Sequence, residues 1–220
     1  MADYAYPQFG DKEPKKLKFR LTLLEEMLGM SPADPEIYDT YIVSKAMDSK
    51  TGKQTLTEEQ IAEELEAVAD ETLDKAMTVF PRDKDGFPCL WDYQIKGLFK
   101  DAGKALRKIP GSKSSGMKTY KAEIDKLIYV FPRMIPIIIP DGMTISDCQR
   151  PLRASTPQGD RVALACSETV PVGSSIEFEV VCLVPSDMDT VLEWLNFGQL
   201  NGLGQWRNSG KGRFTYEIID

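Results

Sequence analysis

The chain has 220 residues, of which 42% are hydrophobic and 28% are charged, and this is the composition of an ordinary globular protein. Its formal net charge of −7 argues against a protein that coats duplex DNA by bulk electrostatic attraction. Histidine is absent, which excludes the commonest general base, most zinc-ligand sets and the Ser-His-Asp triad. Any catalysis would therefore depend on carboxylate, lysine, tyrosine or cysteine side chains.

The sequence contains no recognisable signal for secretion or membrane insertion. The first residues lack the apolar core of a signal peptide, and the most apolar stretch, residues 127–139, is too short to span a bilayer. The four cysteines form no CxxC pair, and Cys166 and Cys182 lie in apolar strand-like runs that favour buried thiols. We expect a cytoplasmic protein with no membrane partner, no structural disulfide, no metal site and no cofactor.

The amino-terminal half begins with a strand and continues into an acidic helix. Leucine and phenylalanine alternate with polar residues over 17–23, a period of two that predicts a half-buried strand. Residues 57–77 predict a helix with a capping box, and its acidic outer face is expected to be an ordinary solvated surface. We interpret residues 25–78, which contain this helix, as an insertion.

A second helix is predicted over residues 93–108, capped by Asp92, with apolar side chains along one face and lysines on the others. The basic run 109–121, IPGSKSSGMKTYK, is expected to form a mobile loop. It resembles a Walker A phosphate loop, but it has one residue too many before its Lys-Thr pair and follows a helix rather than a strand. Nucleotide hydrolysis is therefore not expected, and the run either contacts a nucleic-acid backbone or simply links two elements.

The carboxyl-terminal half combines several strands with one helix. Strands are predicted over residues 124–139, 161–170, 174–184 and 214–218, and a helix capped by Ser186 or Asp187 is predicted over residues 186–200. With the insertion set aside, the order becomes strand, helix, strand, strand, helix, strand. We therefore predict an α+β fold of the ferredoxin-like (RRM-like) type over residues 1–220 as a single domain, with two helices on one face of the sheet.

Glycine and positive charge occur together near the end of the chain. Residues 202–214, GLGQWRNSGKGRF, contain four glycines, two arginines, one lysine and one tryptophan. Glycine permits close approach of the backbone to a ligand, and the cations would complete an anion-binding concavity. A plain turn explains the same composition, so this segment alone leaves both interpretations open. Positive charge is also concentrated over residues 96–126 and in a loop predicted over residues 150–161, where phosphate contacts are a further interpretation.

Three stretches of the chain, taken in order, resemble one family. PCLWDYQIKGLFKDA (88–102) resembles the turn-and-helix signature of the CRISPR-associated RAMP superfamily. SETVPVGSSIEFEVVCL (167–183) is similar to the hairpin that follows in that family, and NGLGQWRNSGKGRFTYEI (201–218) is similar to its glycine-rich loop and last strand. The likeness covers roughly half of the chain, and its order agrees with the order of elements predicted above.

This resemblance implies a ferredoxin-like domain that holds a guide RNA, as a backbone subunit of an effector filament in antiviral defence or as a processing endonuclease. Lys96, Gly97 and the loop 202–213 would then approach RNA phosphates. The sequence departs from the family pattern in two ways: Lys211 replaces a hydrophobic residue between the last two glycines, and no histidine is present for metal-free RNA cleavage. The resemblance therefore supports a binding or scaffold role rather than an enzymatic one.

The leading hypothesis is a non-enzymatic protein that binds single-stranded RNA through phosphate contacts, with Trp206 stacking on a base. One alternative is a protein-interaction or assembly subunit that self-associates, or a phage or mobile-element protein that inhibits a CRISPR complex, without RNA binding. Another is a histidine-free ribonuclease that uses Tyr93 or Lys96 as acid or base. The predicted RNA-binding residues are Lys96, Gly97, Lys100, Arg150, Arg153, Gly202, Gly204, Trp206, Arg207, Gly210, Lys211, Gly212 and Arg213.

Overall fold

The computed structural model describes residues 11–33, 77–156 and 159–219, and for residues 152–163 it describes no side chains. The predicted acidic helix, apart from its last residue, lies outside the described residues, as does most of the predicted insertion. The chain divides into two compact units. The first comprises Met1–Met27, Pro81–Met143 and Pro171–Asp220, and the second comprises Leu28–Phe80 and Thr144–Val170. The prediction of one domain carrying an insertion stays a prediction.

Eleven strands and three α-helices lie within the described residues. The strands are β1 (Lys15–Leu23), β2 (Met27–Leu28), β3 (Ser31–Pro32), β4 (Thr78–Val79), β5 (Cys89–Trp91), β6 (Ile128–Phe131), β7 (Met134–Ile138), β8 (Ser146–Thr156), β9 (Gly159–Val170), β10 (Ser175–Cys182) and β11 (Phe214–Ile219). The helices are α1 (Asp92–Leu106), α2 (Tyr120–Leu127) and α3 (Asp187–Asn201), with short 3₁₀ turns at Lys113–Gly116 and Arg207–Ser209. The predicted α+β class is confirmed.

The sheet of the first unit has the order β11-β1-β10-β7-β5, and β6 also pairs with β10. The pairs β1–β10, β1–β11 and β10–β6 are all antiparallel. Helix α1 follows the short β5 and precedes β6 in the chain, whereas α3 connects β10 to β11. Burial alternates along β1 as the period-two pattern predicts. Phe19, Leu21 and Leu23 are buried, whereas the residues between them are not.

Helices α1 and α3 pack their apolar faces together in the core of the first unit. The stripe predicted on α1 is buried at Ile95, Leu98, Phe99 and Ala102. The Phe99 ring lies against the Trp194 ring of α3, with 5.6 Å between centroids. Helix α1 begins one residue earlier than the predicted cap implies. Trp91 is the N-cap, its backbone N–H donates to the Gln94 side chain, and Asp92 belongs to the first turn.

The second unit is built around a long hairpin of β8 and β9. These strands pair antiparallel in register from Ser146↔Thr169 to Thr156↔Gly159. The sheet order is β2-β9-β4-β3, and among the described strands β8 pairs with β9 alone. The prediction that residues 150–161 form a loop was wrong, because Pro151 and the following small polar residues occupy β8. An edge strand accommodates proline, since its missing N–H has no second neighbour to bond.

Two other predictions about elements are corrected by the structure. Residues 124–139 do not form one strand, because α2 occupies the beginning and the cis Phe131–Pro132 bond separates β6 from β7. The segment 167–183 does not form a hairpin, since β9 and β10 belong to different sheets. The final strand and the helix capped by Ser186 are confirmed. Within the described ranges, none of the helices is both long and apolar enough to cross a membrane.

Candidate nucleic-acid interface

Residues 202–213, which we call the glycine loop, close on themselves at their base. The Leu203 backbone N–H donates to the Gly212 carbonyl at 2.9 Å, and the Gly212 N–H donates to the Glu26 carbonyl at 2.8 Å. A Cβ at Gly202 would lie 2.5 Å from the Lys211 carbonyl oxygen, and one at Gly212 would lie 1.7 Å from that of Leu203. Both glycines also have positive φ. They are therefore required by the crossing of the two chain segments, whatever the loop binds.

The tip of the glycine loop has a different character. Gly204 and Gly210 have φ of 90° and 88°, and a Cβ at Gly210 would meet only the Arg213 side chain, at 3.9 Å. The backbone of Trp206 also adopts the left-handed conformation, with φ 57° and ψ 34°. This conformation is uncommon for a bulky side chain, and such residues concentrate at ligand sites. Trp206 is 37% exposed, so a large aromatic surface faces solvent at the tip.

The surface of the tip forms an open concavity of about 790 Å³. It is shallow and open to solvent, unlike the clefts that enclose most of a small ligand. Polar and apolar surface are both present, with an indole and two guanidinium groups in the lining. The lining residues are Leu200, Asn201, residues 204–208 and Arg213.

The three cations of the glycine loop have different partners. Arg207 Nη1 lies 2.7 Å from Asp101 Oδ2 on α1, so the loop is attached to the middle of that helix. Lys211 Nζ lies 2.6 Å from Glu26 Oε2. Arg213 is exposed and makes no ion pair within the described part of the chain, although its carbonyl accepts from the backbone N–H groups of Leu24 and Glu25. Arg213 is thus the loop cation best placed to contact an anion from solvent.

Gly97 lies on α1, one turn before Asp101, and has no packing reason to be glycine. A Cβ at this position would meet no atom within 4 Å. Gly103 of the same helix contrasts with it, because its Cβ would lie 2.9 Å from Tyr120 Cδ2. Glycine in a helix interior costs about 1 kcal/mol relative to alanine. The half-buried backbone at Gly97, with open space where a side chain would stand, therefore suits the close approach of a ligand, as the resemblance implies.

Lys96 and Lys100 point away from the glycine loop, toward α2 and β6. Lys96 Nζ donates to the Asp125 carbonyl at 3.5 Å and lies 5.1 Å from the centroid of the Tyr129 ring. Burial lowers the pKa of Lys96, and the nearby Asp125 charge opposes that shift. Lys100 Nζ lies 2.7 Å from Asp125 Oδ1. The loop and helix α1 are thus brought together through Asp101 rather than through these two lysines.

Arg150 and Arg153 belong to the second unit. Arg150 is only 6% exposed, and its guanidinium donates to Ser167 Oγ at 2.9 Å, while that oxygen also lies 2.7 Å from Thr78 Oγ1. This burial argues against the predicted phosphate contact, because the guanidinium already bonds within its own hairpin. Arg153 pairs with Val162 in the β8–β9 register, and its side chain is outside the described ones.

Two cations of β1 are neutralised by carboxylates of the neighbouring strands. On β1, Lys18 and Arg20 lie 3.0 and 2.7 Å from the Glu177 carboxylate of β10, and Arg20 also contacts Glu217 of β11 at 2.8 Å. Hydrogen bonds from Arg20 and Lys18 lower the pKa of Glu177. This face is therefore less suited to phosphate binding than the glycine loop. No described group of three or more histidine, cysteine, aspartate or glutamate side chains could hold a metal ion.

Sequence reasoning missed the carboxylates that position the loop. Asp101 and Glu26 were not candidates, because their partners lie far away in the chain and no local spacing signals such a pair. One feature of the sequence could have indicated the role of Asp101: it is an acidic residue one turn after Gly97, on a helix face that is otherwise basic.

No protein-family model and no curated protein match this sequence. Solved structures do match. A chain of "Cryo-EM structure of the Type III-B Cmr-beta bound to cognate target RNA" aligns over 93% of this chain and 60% of its own, with a TM-score of 0.52 and 8% identity. A chain of a "Type IV-B CRISPR Complex" aligns over 93% and 90%, with a TM-score of 0.42 and 11% identity. The first likeness is one of fold: this chain resembles a CRISPR-complex subunit and spans about 60% of its length.

Proposed function

We propose that the chain is a non-enzymatic RNA-binding subunit of a CRISPR-type complex, and that the glycine loop and the adjoining face of α1 contact the phosphates of single-stranded RNA. The observation that carries this proposal is the attachment of the glycine loop to α1 by the Arg207–Asp101 ion pair, beside the bare backbone of Gly97. This arrangement combines a guanidinium, an exposed indole and glycine backbone in one unit.

The likeness in fold to a chain of the target-RNA-bound Cmr-beta structure supports the proposal. The strand order β11-β1-β10-β6, with α1 and α3 as the crossover helices, supports the finer assignment to the ferredoxin-like, RAMP-type class. Neutralisation of the two β1 cations by Glu177 and Glu217 favours binding at the loop rather than across the sheet. Association with other protein subunits is part of the same proposal.

A direct test is filter binding of labelled single-stranded RNA at two salt concentrations, with the wild type, Arg213→Gln and Lys84→Gln. Lys84 is an exposed cation of the turn at residues 83–86, so its substitution removes the same charge elsewhere in the first unit. We expect affinity to fall as salt rises, and Arg213→Gln to reduce the slope by about 0.7 while the Lys84 variant leaves it unchanged. Absence of binding at low salt, or a flat salt response, would contradict the proposal.

The non-enzymatic part of the proposal is tested separately. Lys96 and Tyr93, the residues of the ribonuclease alternative, lie in the first turns of α1, before the Asp101 that pairs with Arg207, and Lys96 donates to the Asp125 carbonyl. Incubation of repeat-like RNA with the protein should leave only intact strands. Specific cleavage that is lost in Lys96→Gln would instead support the enzyme.

A further inference from the structure

The stretch 104–121 carries six cations and no acidic residue, in a chain whose net charge is −7. All six side chains are exposed, and they surround the carboxyl end of α1 and the 3₁₀ turn that follows it. We call this set the basic patch. Its members are Lys104, Arg107, Lys108, Lys113, Lys118 and Lys121.

The charge of the basic patch is not compensated by the surrounding protein. None of its five lysines forms an ion pair with another described residue, and Arg107 lies over the Tyr120 ring at 5.4 Å from the centroid. Cations just outside the patch behave differently, since Lys100 pairs with Asp125 and Arg207 pairs with Asp101. A cluster of exposed, uncompensated cations attracts phosphates and releases counterions when it binds them.

Hydrogen bonds attach this segment, which the sequence predicts to be a mobile loop, to helix α3. Glu193 of α3 accepts hydrogen bonds from the backbone N–H groups of Lys113 and Ser114, at 2.9 and 3.3 Å. Trp194 Nε1 donates to Ser114 Oγ at 2.8 Å, and Ser114 is fully buried. A passive connection needs no such attachment. The cations of the basic patch are therefore preorganised, which lowers the entropic cost of binding.

Lys104, the first cation of the basic patch, lies on the face of α1 that the glycine loop adjoins. Gly97, Asp101 and Lys104 are four and three residues apart, a spacing that aligns side chains on one helix face. Asp101 carries the ion pair to Arg207, so the loop adjoins this face at its middle. The rise from Gly97 to Lys104 is about 10 Å, and Arg107 and Lys108 follow directly. One extended strand could thus pass from the loop to the patch.

We propose that the basic patch is a second phosphate-contact surface, which binds the same single-stranded RNA as the glycine loop and extends its path beyond the carboxyl end of α1. This inference rests on the proposed function and adds to it the length and direction of the bound strand. The face of α1 that Lys104 shares with the glycine loop favours an RNA strand over an acidic protein surface as the occupant.

The test compares Lys108→Gln/Lys113→Gln with the control Lys15→Gln/Lys84→Gln, which removes two exposed cations elsewhere in the first unit. Binding is measured at several salt concentrations with RNAs of about 4 and about 16 nucleotides, the limits of typical single-strand site sizes. We expect the patch variant to bind the long RNA about tenfold more weakly, with a salt slope reduced by about 1.4, and the short RNA unchanged. The control should match the wild type with both.

Equal affinity of the patch variant and the wild type for the long RNA would overturn this inference, while dependence on Arg213 would leave the proposed function standing. Unchanged RNA affinity with altered self-association in light scattering would assign the patch to a protein partner instead, and would also overturn it. Failure of the wild type to bind either RNA at low salt would remove both proposals. Unfolding curves of the variants that coincide with the wild type exclude loss of fold as the cause.

Discussion

Glycines in this protein serve two different purposes, and the space around each one separates them. At Gly198 a Cβ would lie 2.7 Å from Phe214 Cζ, and at Gly212 it would overlap the Leu203 carbonyl, so both are required by packing. Gly97 has open space around it instead. A glycine of this kind lowers the stability of the helix without any gain in packing, which is expected where a ligand supplies the missing contact.

Gly97→Ala should stabilise the protein and weaken its binding to RNA. The new methyl group meets no protein atom, and alanine restores helix propensity, so we expect a gain of about 0.5–1 kcal/mol in the free energy of unfolding. RNA affinity should fall by about tenfold, equivalent to about 1.4 kcal/mol, because the backbone is no longer approachable. Urea unfolding and filter binding measure the two effects.

Gly103→Ala is the matched comparison, since its methyl group would collide with Tyr120 Cδ2 at 2.9 Å. We expect this variant to lose stability by about 1–3 kcal/mol as an overpacked site does. A gain of stability at position 97 without any loss of RNA affinity would show that this glycine has no part in binding.

Trp206→Ala should reduce RNA affinity by about 1–3 kcal/mol, the usual contribution of one base stacked on an aromatic side chain. Trp206 presents its ring at the concave tip and is 37% exposed. Phe87→Ala is the control, because Phe87 is a 60% exposed aromatic residue in the same unit but outside the loop. Fluorescence titration with single-stranded RNA measures the difference, and equal affinities of the two variants would argue against stacking at Trp206.

At the residue scale, local clusters of residue types could be predicted from the sequence. Contacts between side chains that are far apart in the chain could not. The cluster of glycines and cations around Trp206 was visible as a segment. That Arg207 would bond to Asp101, and that Arg150 would be buried against Ser167, depends on which strands and helices meet. Such pairs are separated by many residues, and no local pattern encodes them.

At the element scale, helix α3 does more than cover the sheet, because its Glu193 side chain fixes the 3₁₀ turn at Lys113–Gly116. Glu193→Ala should release that turn. We expect faster hydrogen exchange at the amides of Lys113 and Ser114, and a loss of stability of about 1 kcal/mol, because Ser114 is buried whereas the Lys113 amide can bond to water. Asp189→Asn, an exposed carboxylate on the same helix, is the control for charge. Unchanged exchange at both amides in Glu193→Ala would show that other contacts hold the turn.

The strand network around Glu177 should make stability depend on pH on the acid side. Hydrogen bonds from Arg20 and Lys18 lower the pKa of Glu177 in the folded protein below its value in the unfolded chain. Its contribution is therefore fully present above the unfolded pKa and is lost as pH falls through the folded pKa. Because these side chains are partly exposed, the contribution is about 1 kcal/mol or less.

We therefore expect the wild type to exceed Glu177→Gln in unfolding free energy at about pH 7, and this difference to shrink as the pH falls through the lowered pKa of Glu177. Urea unfolding at several pH values measures this. Glu217→Gln should show a smaller difference, since Glu217 accepts one bond from Arg20 and its side chain is 60% exposed. A difference for Glu177→Gln that is independent of pH would show that packing, not charge, is responsible.

The elements themselves were predictable where one physical signal dominated. The period-two pattern of β1 and the apolar stripe of α1 correspond directly to buried faces. The prediction of one strand over residues 124–139 was wrong, because this apolar run contains the end of a helix, a cis proline and two strands. Prediction also failed over 150–161, because proline and glycine suggested a loop although an edge strand tolerates both.

At the scale of the whole molecule, the two units divide the four cysteines between them. Cys89 and Cys182 are buried in the first unit, and Cys148 and Cys166 of the second are partly exposed, so burial of Cys166 was not borne out. Burial raises the pKa of Cys182 to about 12, which makes its thiolate negligible near neutrality. Burial also raises the pKa of Cys89 and Cys166.

Iodoacetamide should therefore modify Cys148 and Cys166 of the native protein well before Cys89 and Cys182. In denaturant all four should react at similar rates, because the burial that separates them is lost. Peptide mass spectrometry after timed quenching measures the four rates. Fast modification of Cys182 in the native protein would show that the core of the first unit opens readily.

The α+β class could be predicted from the alternation of strand and helix patterns in the sequence, whereas the pairing of the strands could not. A reader of the sequence sees that residues around 167–183 form two strands near a turn. Whether those strands pair with each other is decided by distant partners, and here β10 lies between β1 and β6 while β9 pairs with β8. Long-range pairing of this kind depends on burial over the whole unit.

The closed base of the glycine loop has a consequence for engineering. The Leu203–Gly212 hydrogen bond and the crossing at Gly202 fasten the two ends of the loop together, and Arg207 fixes the segment between them to Asp101. Lengthening the loop, or randomising residues 205, 206, 208 and 209 with Arg207 kept, should leave the scaffold folded, since the cost of closing a longer loop grows only slowly. Libraries diversified at these positions alone would therefore sample new binding preferences on an unaltered frame.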